Sequence, residues 1–290
     1  MLAFDYRAAN SVEELITLLS DTERRVKILA GGTDLLIQLR EGRLEAGLLI
    51  DVKKIPQLTS VFYDPQQGLH IGAAASCYRV CHDEAVKRHY PGLVDAISLV
   101  GGVQIQNRAS IGGNLCNASP AADTIPALIV HEARCLVNGP AGRRSIAVEH
   151  FCTGPGTTVL QPGEFLEAIE IPPPKSHFGA HYLRFIPRNE MDIAVVGVGA
   201  SVTINENHSH FQAVRLALAA VAPTPLYLPE AGDMLAGREI TPQAIQEVAQ
   251  FAQGVIRPIS DLRGTAEHRR NLSAVLTQRA LEKAIERARQ

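Results

Sequence analysis

Two glycine-bearing segments hold the residues whose types and spacing could do chemistry. The first, Leu29-Ala30-Gly31-Gly32-Thr33-Asp34-Leu35-Leu36, ends a short apolar run. Without Cβ atoms, Gly31 and Gly32 let backbone N–H groups turn toward a ligand at close range, and Thr33 adds a hydroxyl donor. That arrangement suits a pyrophosphate. An ordinary strand-to-helix turn, with Thr33 or Asp34 as N-cap, is the other reading of the same residues. The second segment runs from Asn107-Arg108-Ala109-Ser110-Ile111-Gly112-Gly113-Asn114-Leu115 through Cys116-Asn117-Ala118-Ser119-Pro120-Ala121-Ala122 to Asp123. Residues 101–120 show neither helical nor strand period, and so long a structureless stretch in a compact domain is uncommon unless it serves a function. Its apolar residues Ile111, Leu115 and Ala118 alternate with polar ones, a mixture that fits a large heteroaromatic cofactor with a phosphate tail.

Other site chemistries find no support. The chain has no G-x-x-x-x-G-K-[ST] and no complete G-x-G-x-x-G, so neither a Walker-type nor a Rossmann site is expected. It lacks C-x-x-C, H-E-x-x-H and the G-x-S-x-G elbow, which removes the usual zinc and serine-hydrolase patterns. The five cysteines, Cys77, Cys81, Cys116, Cys135 and Cys152, are scattered, as reduced thiols are. A net charge of -2 over 290 residues, with no block of like charges, gives no footprint for nucleic acid or an anionic membrane. No apolar run approaches the roughly 18 residues of a membrane span, and no secretory signal is visible, so a cytoplasmic location is expected.

The elements that must position the two segments can be read from period and punctuation. Ser11 with Glu14 forms a capping-box pattern before a helix over 11–20. Apolar runs at 26–30 and 48–52 read as buried strands of a β-α-β unit, and 58–63 with 69–73 as a hairpin around Asp64-Pro65-Gln66-Gln67-Gly68. Helices are predicted at 76–89, 91–100 and 121–132, and strands at 134–138, 145–148 and 165–171. Pro172-Pro173-Pro174 breaks any regular element and marks a domain boundary. Beyond it, 182–186, 192–204 and 211–220 predict a three-stranded antiparallel meander, followed by helices at 228–235, 241–255 and 266–288. The fold class is therefore α+β.

Taken together, AGGTDLL and SIGGNLCNASPAAD, with about 75 residues between them, closely resemble the flavoprotein subunits of molybdenum hydroxylases such as xanthine dehydrogenase and carbon-monoxide dehydrogenase. The resemblance extends over nearly the whole chain. It includes Gly154-Pro155-Gly156, Met191-Asp192-Ile193-Ala194 and Asp261-Leu262-Arg263-Gly264-Thr265-Ala266-Glu267-His268-Arg269.

The resemblance implies a two-subdomain FAD-binding domain of the vanillyl-alcohol oxidase/p-cresol methylhydroxylase type, over 1–55 and 56–172, and a C-terminal flavoprotein domain over 175–290. Lys27, Ile28, Leu29, Ala30, Gly31, Gly32, Thr33 and Asp34 match the family's first FAD loop, whose backbone holds the pyrophosphate. Ala109, Ser110, Ile111, Gly112, Gly113 and Asn114 match the second loop, and Asp123 the acidic residue that bonds the cofactor's polar chain. Leu166 matches an apolar contact, and Arg184 falls where many relatives carry Lys, which changes donor geometry. Ile193 occupies the position of a residue, aliphatic or aromatic, that lies against the isoalloxazine ring; an aliphatic residue favours access by a nicotinamide acceptor.

By the same resemblance the molybdenum cofactor and 2Fe-2S clusters belong to large and small partner subunits of a heterotrimer, which in many members of the family is dimerised. No metal ligand set and no catalytic residue is assigned to this chain. Cys116, Cys135 and Cys152 have no insertion around them to make a 4Fe-4S site. The implied role is electron transfer through FAD to an acceptor such as NAD+, in a xanthine dehydrogenase-like enzyme or one acting on carbon monoxide, aldehydes or other N-heterocycles. Two alternatives stand beside it: a stand-alone flavoenzyme of the same fold, with Glu190 or Asp192 as its acid or base, and a scaffold that has lost FAD. The intact glycines at 31, 32, 112 and 113 speak against the scaffold.

Overall fold

The computed structural model describes residues 2–188 and 191–290. Near the N-terminus, strands β1 (Asp5–Ala8), β2 (Val26–Leu29) and β3 (Leu48–Asp51) pair in parallel in the order β1-β3-β2. The expected β-α-β unit is present, with the helix Leu35–Arg40 as its crossover. Ser11 caps the helix Val12–Leu19 by accepting from the Glu14 N–H at 3.1 Å, and the Glu14 carboxylate takes the Asn10 N–H at 2.7 Å. Strand β1 was not anticipated. It is a largely exposed edge strand with no apolar alternation to announce it.

A second sheet is antiparallel. It contains β4 (Val61–Asp64), β5 (Gly68–Gly72), β6 (Arg134–Asn138) and β7 (Arg144–Ala147), and, after a small hairpin of β8 (Cys152–Gly154) and β9 (Thr157–Thr158), β10 (Phe165–Ile171). Its order, β4-β5-β10-β6-β7, seats β10 between the two hairpins. The Asp64 side chain accepts from the Gln66 and Gln67 N–H groups and closes the expected turn. Leu58 and Thr59, expected at the start of a strand, instead belong to a short helix, Pro56–Thr59, with Pro in its first turn.

Three further expectations are corrected. The helix over 76–89 is two helices, Cys77–His82 and Glu84–His89, because the Asp83 side chain bonds the Ala85 and Val86 N–H groups and starts a new one. Residues 101–120 are not structureless but hold the helices Val103–Gln106 and Ile111–Asn117. Ser110 caps the latter by accepting from Gly113 N–H at 3.0 Å, and Ile111 and Leu115 turn into the core. The next helix is shorter than 121–132 and runs Thr124–Val130, buried at every residue.

The third sheet, β11 (Phe178–Phe185), β12 (Val196–Ile204), β13 (Phe211–Ala219) and β14 (Leu226–Tyr227), is an antiparallel meander of four strands rather than three. All nine residues of β12 are buried. Both faces of the sheet must therefore be covered, which explains why Val196–Ile204 is a continuous small and apolar run. Neighbouring residues of β11 show what covers them. A Cβ on Gly179 would lie 2.0 Å from the Ala284 carbonyl of the helix Ala266–Ala288, while Ala180 presses on Gly92 of the helix Pro91–Ile97. The same face as Ala180 carries Tyr182 and Arg184, so the strand alternation aims both at the first two-thirds of the chain. That junction is fastened by Asp95, which accepts from Arg287 and pairs with His181, and by Ser201, which donates to the Val130 carbonyl at 2.7 Å. No described helix is long and apolar enough to cross a membrane.

Candidate functional site

The two glycine segments touch. Gly31 lies so close to the second segment that an added Cβ would fall 1.9 Å from the Arg108 carbonyl oxygen and 2.9 Å from Ala109 Cα. Gly32 adopts φ +77°, a left-handed conformation that glycine takes without steric cost. Gly112 is pressed against Ala73, where a Cβ would meet backbone at 2.4 Å. Gly113 is under less constraint, meeting only the Ser110 hydroxyl at 2.9 Å.

Between these segments, β10 and the start of the third sheet lies a cleft of about 1090 Å³. That is at the upper end of small-molecule pockets, which run roughly 300–1,000 Å³. The N–H groups of Gly31, Gly32 and Thr33, and that of Gly112 in the first turn of its helix, bond no partner among the described residues, whereas that of Ile111 is taken up by the antiparallel bridge between Ser76 and Ser110. The walls are bridged by Gln38, whose Nε2 donates to Asn117 Oδ1 at 3.3 Å.

Every residue expected at the site lines this cleft except Leu29 and Ile111, whose side chains are buried in the protein. Lys27, Ile28 and residues 30–34 form one wall. Ala109, Ser110, Gly112, Gly113, Asn114 and Asp123 form another, and Leu166, Arg184 and Ile193 complete it.

Asp123 is the electrostatic centre. One of its oxygens accepts from the Tyr182 hydroxyl at 2.7 Å and the other pairs with Arg184. Room for Tyr182 comes from Gly197, where a Cβ would meet the phenol oxygen at 2.3 Å. Burial pushes the Asp123 carboxyl up to about 6, outweighing the Arg184 charge and the hydrogen bonds from Tyr182 and Arg184. The Arg184 side chain is 6% exposed, and its Nε has no hydrogen-bond partner among the described residues. An unsatisfied donor on a buried cation beside a cleft marks a site kept for something other than stability. Cys116 also lines the cleft; burial pushes its thiol up to about 12, so it stays protonated and serves as a small filler.

Residues 2–174 match the family model described as the FAD binding domain in molybdopterin dehydrogenase, and residues 181–284 that described as the CO dehydrogenase flavoprotein C-terminal domain. The chain belongs to this family of FAD-binding dehydrogenase subunits. It is 30% identical over 281 residues to the xanthine dehydrogenase FAD-binding subunit of Escherichia coli O157:H7, covering 97% of this chain and 95% of that one. The carbon monoxide dehydrogenase medium chain of Hydrogenophaga pseudoflava is also 30% identical, over 97% of this chain and 96% of its own length. Among solved structures, carbon monoxide dehydrogenase from H. pseudoflava superposes with a TM-score of 0.94 at 30% identity over 99% of this chain and 98% of that one. Quinoline 2-oxidoreductase from Pseudomonas putida 86 gives 0.91 at 29%, over 100% of this chain and 99% of that one.

The cleft suits the FAD of this family. Its glycines leave space that a side chain would fill, its free N–H groups offer donors to phosphate oxygens, and Arg184 supplies a charge. Sequence reasoning missed Tyr182, although its place two residues before Arg184 on a strand puts both on one face. It also missed Gln38 and Ala73, which carry no signal of their own. Of the residues considered as acids or bases, Glu190 lies outside the described residues. Asp192 accepts from Arg188 at 3.1 and 3.2 Å, and that guanidinium holds its carboxyl below the usual carboxylate range. This makes it a poor proton donor.

Two outcomes follow from the geometry. Gly31→Ala separates the two segments and weakens FAD binding about tenfold or more, the equivalent of losing at least one phosphate hydrogen bond of ~1.4 kcal/mol, whereas Gly113→Ala retains most of it; flavin retained through gel filtration reads the difference. For Asp123, the folded chain holds a proton that the unfolded chain has lost between the ordinary value of 3.8 and about 6. Its contribution to stability therefore falls as pH rises through that window and is level above it. Urea midpoints measured from pH 4 to 7 should show this slope in the parent and lose it in Asp123→Asn; identical profiles would contradict the assignment.

Proposed function

We propose that this chain is the electron-transfer subunit of a xanthine dehydrogenase-like molybdenum hydroxylase. In this reading a large partner holds the molybdenum cofactor, a small partner holds 2Fe-2S clusters, and NAD+ is the final acceptor. FAD bound in the cleft supplies the chemistry that joins the clusters' one-electron steps to a two-electron acceptor. The chain's own task is then to hold, orient and expose the cofactor.

The N–H groups of Gly31, Gly32 and Thr33, on the loop from Lys27 to Asp34, donate to the diphosphate. Ala109–Asn114 packs against them and adds the Gly112 N–H from the first turn of its helix. The Asp123 carboxylate accepts from hydroxyls of the cofactor's polar chain, and Tyr182 and Arg184 fix its orientation. Leu166 gives an apolar wall. Arg184, on the cleft wall, places positive charge beside the ring system, where it favours added electron density.

The observation that carries the acceptor reading is the rim. Ile193 is 49% exposed on the cleft wall, next to Met191 at 63%. An aliphatic side chain with half its surface in water covers little, and leaves a face of the bound ring open to a flat nicotinamide. Xanthine-type N-heterocycles are the substrate class in this reading, oxidised on the large partner and never in contact with this chain.

The test uses the complex purified with its partners. NADH added without oxygen should bleach the flavin absorbance, and Ile193→Tyr should slow that bleaching about tenfold, the effect of ~1.4 kcal/mol on a barrier, at unchanged FAD content. A flavin that NADH leaves oxidised but that a quinol reduces would overturn NAD+ as acceptor.

A further inference from the structure

The first glycine turn is held from behind by a network that no part of the reading above uses. Lys53 follows β3, and its Nζ donates to the Ala30 carbonyl at 2.8 Å while pairing with Asp51 Oδ1 at 2.8 Å. Asp51 is steadied in turn: its other oxygen accepts from the Tyr6 hydroxyl at 2.8 Å, and its first oxygen also takes the Lys53 N–H at 3.0 Å. Two adjacent strands of the parallel sheet, β1 and β3, thus converge through three side chains on one carbonyl of the turn after β2.

That carbonyl shares a peptide plane with the Gly31 N–H. In a trans peptide the C=O and N–H point in opposite directions, so a side chain that fixes one fixes the other. The plane follows a strand end and precedes Gly32 at φ +77°, where glycine leaves the backbone free to rotate. A protonated amine on the oxygen also polarises the amide and makes its N–H a stronger donor. The Gly31 N–H itself bonds nothing among the described residues.

We propose that Lys53, buttressed by Asp51 and Tyr6, is the positioning residue that locks the Ala30–Gly31 peptide with its N–H directed to an anionic diphosphate group. This rests on the reading of residues 27–34 as the diphosphate loop. Lys53 does not line the cleft, so it acts through the peptide and not by contact with the ligand.

The experiment titrates the full chain, stripped of flavin, with FAD and with ADP by calorimetry. Lys53→Met should weaken both about tenfold, the loss of one charge-assisted hydrogen bond. Lys53→Arg, which keeps the charge and a donor, should recover most of that loss. Tyr6→Phe changes no charge, yet should weaken both ligands to an intermediate extent by loosening Asp51; it carries the test if Lys53→Met fails to fold. Unchanged affinities in Lys53→Met and Tyr6→Phe would overturn the proposal. So would a loss confined to FAD with ADP unaffected, or a loss in Lys53→Met with none in Tyr6→Phe, the mark of long-range charge alone. If Gly31→Ala binds both ligands as the parent does, the diphosphate reading itself fails, whatever Lys53 does.

Discussion

The contact between Gly31 and the Arg108–Ala109 backbone is the constraint on which the site depends. A Cβ at Gly31 would lie 1.9 Å from a carbonyl oxygen, well inside any van der Waals contact, so the two chain segments meet only because the side chain is missing. The consequence is architectural. One segment ends a strand of a parallel sheet, the other starts a helix packed on an antiparallel sheet, and their meeting turns two separate cores into the walls of one cleft. Gly112 repeats the device against Ala73, seating the second segment on the turn that follows β5.

The third sheet closes the site by a different means. Because β12 is buried on both faces, its sheet is clamped between its own long helix and the helices that follow the cleft. That clamp leaves little freedom for Tyr182 and Arg184, which reach Asp123 from across the junction. Two charges and a phenol are thereby held together in a place of low exposure. Such an arrangement costs desolvation and returns little stability, which is the pattern expected where a site is kept for function.

Much of this was legible in the sequence, and for physical reasons. The first glycine pair stood out because Ala30 before it ends an apolar run, and the second because Ile111, Leu115 and Ala118 around it are interleaved with polar residues. The triple proline, read as a break in regular structure, falls between β10 and β11, since proline cannot continue a ladder. Ser11 with Glu14 gave the first cap. The failures are equally specific. Ile111 and Leu115 belong to a seven-residue helix, too short for a 3.6-residue period to emerge from the glycines and asparagines around them. Strand β1 is polar and at an edge. The Gly31–Arg108 contact, the Lys53–Ala30 bond and the Gln38–Asn117 bridge each join residues distant in the chain, and residue type alone says nothing about such pairs. Tyr182 was missed as well, although strand alternation from Arg184 places both on one face.

Amide hydrogen exchange of the full chain with and without FAD tests most directly that the two glycine segments form a single cofactor site. Exchange at residues 31–33 and at Gly112 should slow together, at the same FAD concentration, since one ligand takes up both sets of free N–H groups. Protection at one segment with the other unchanged would contradict the account.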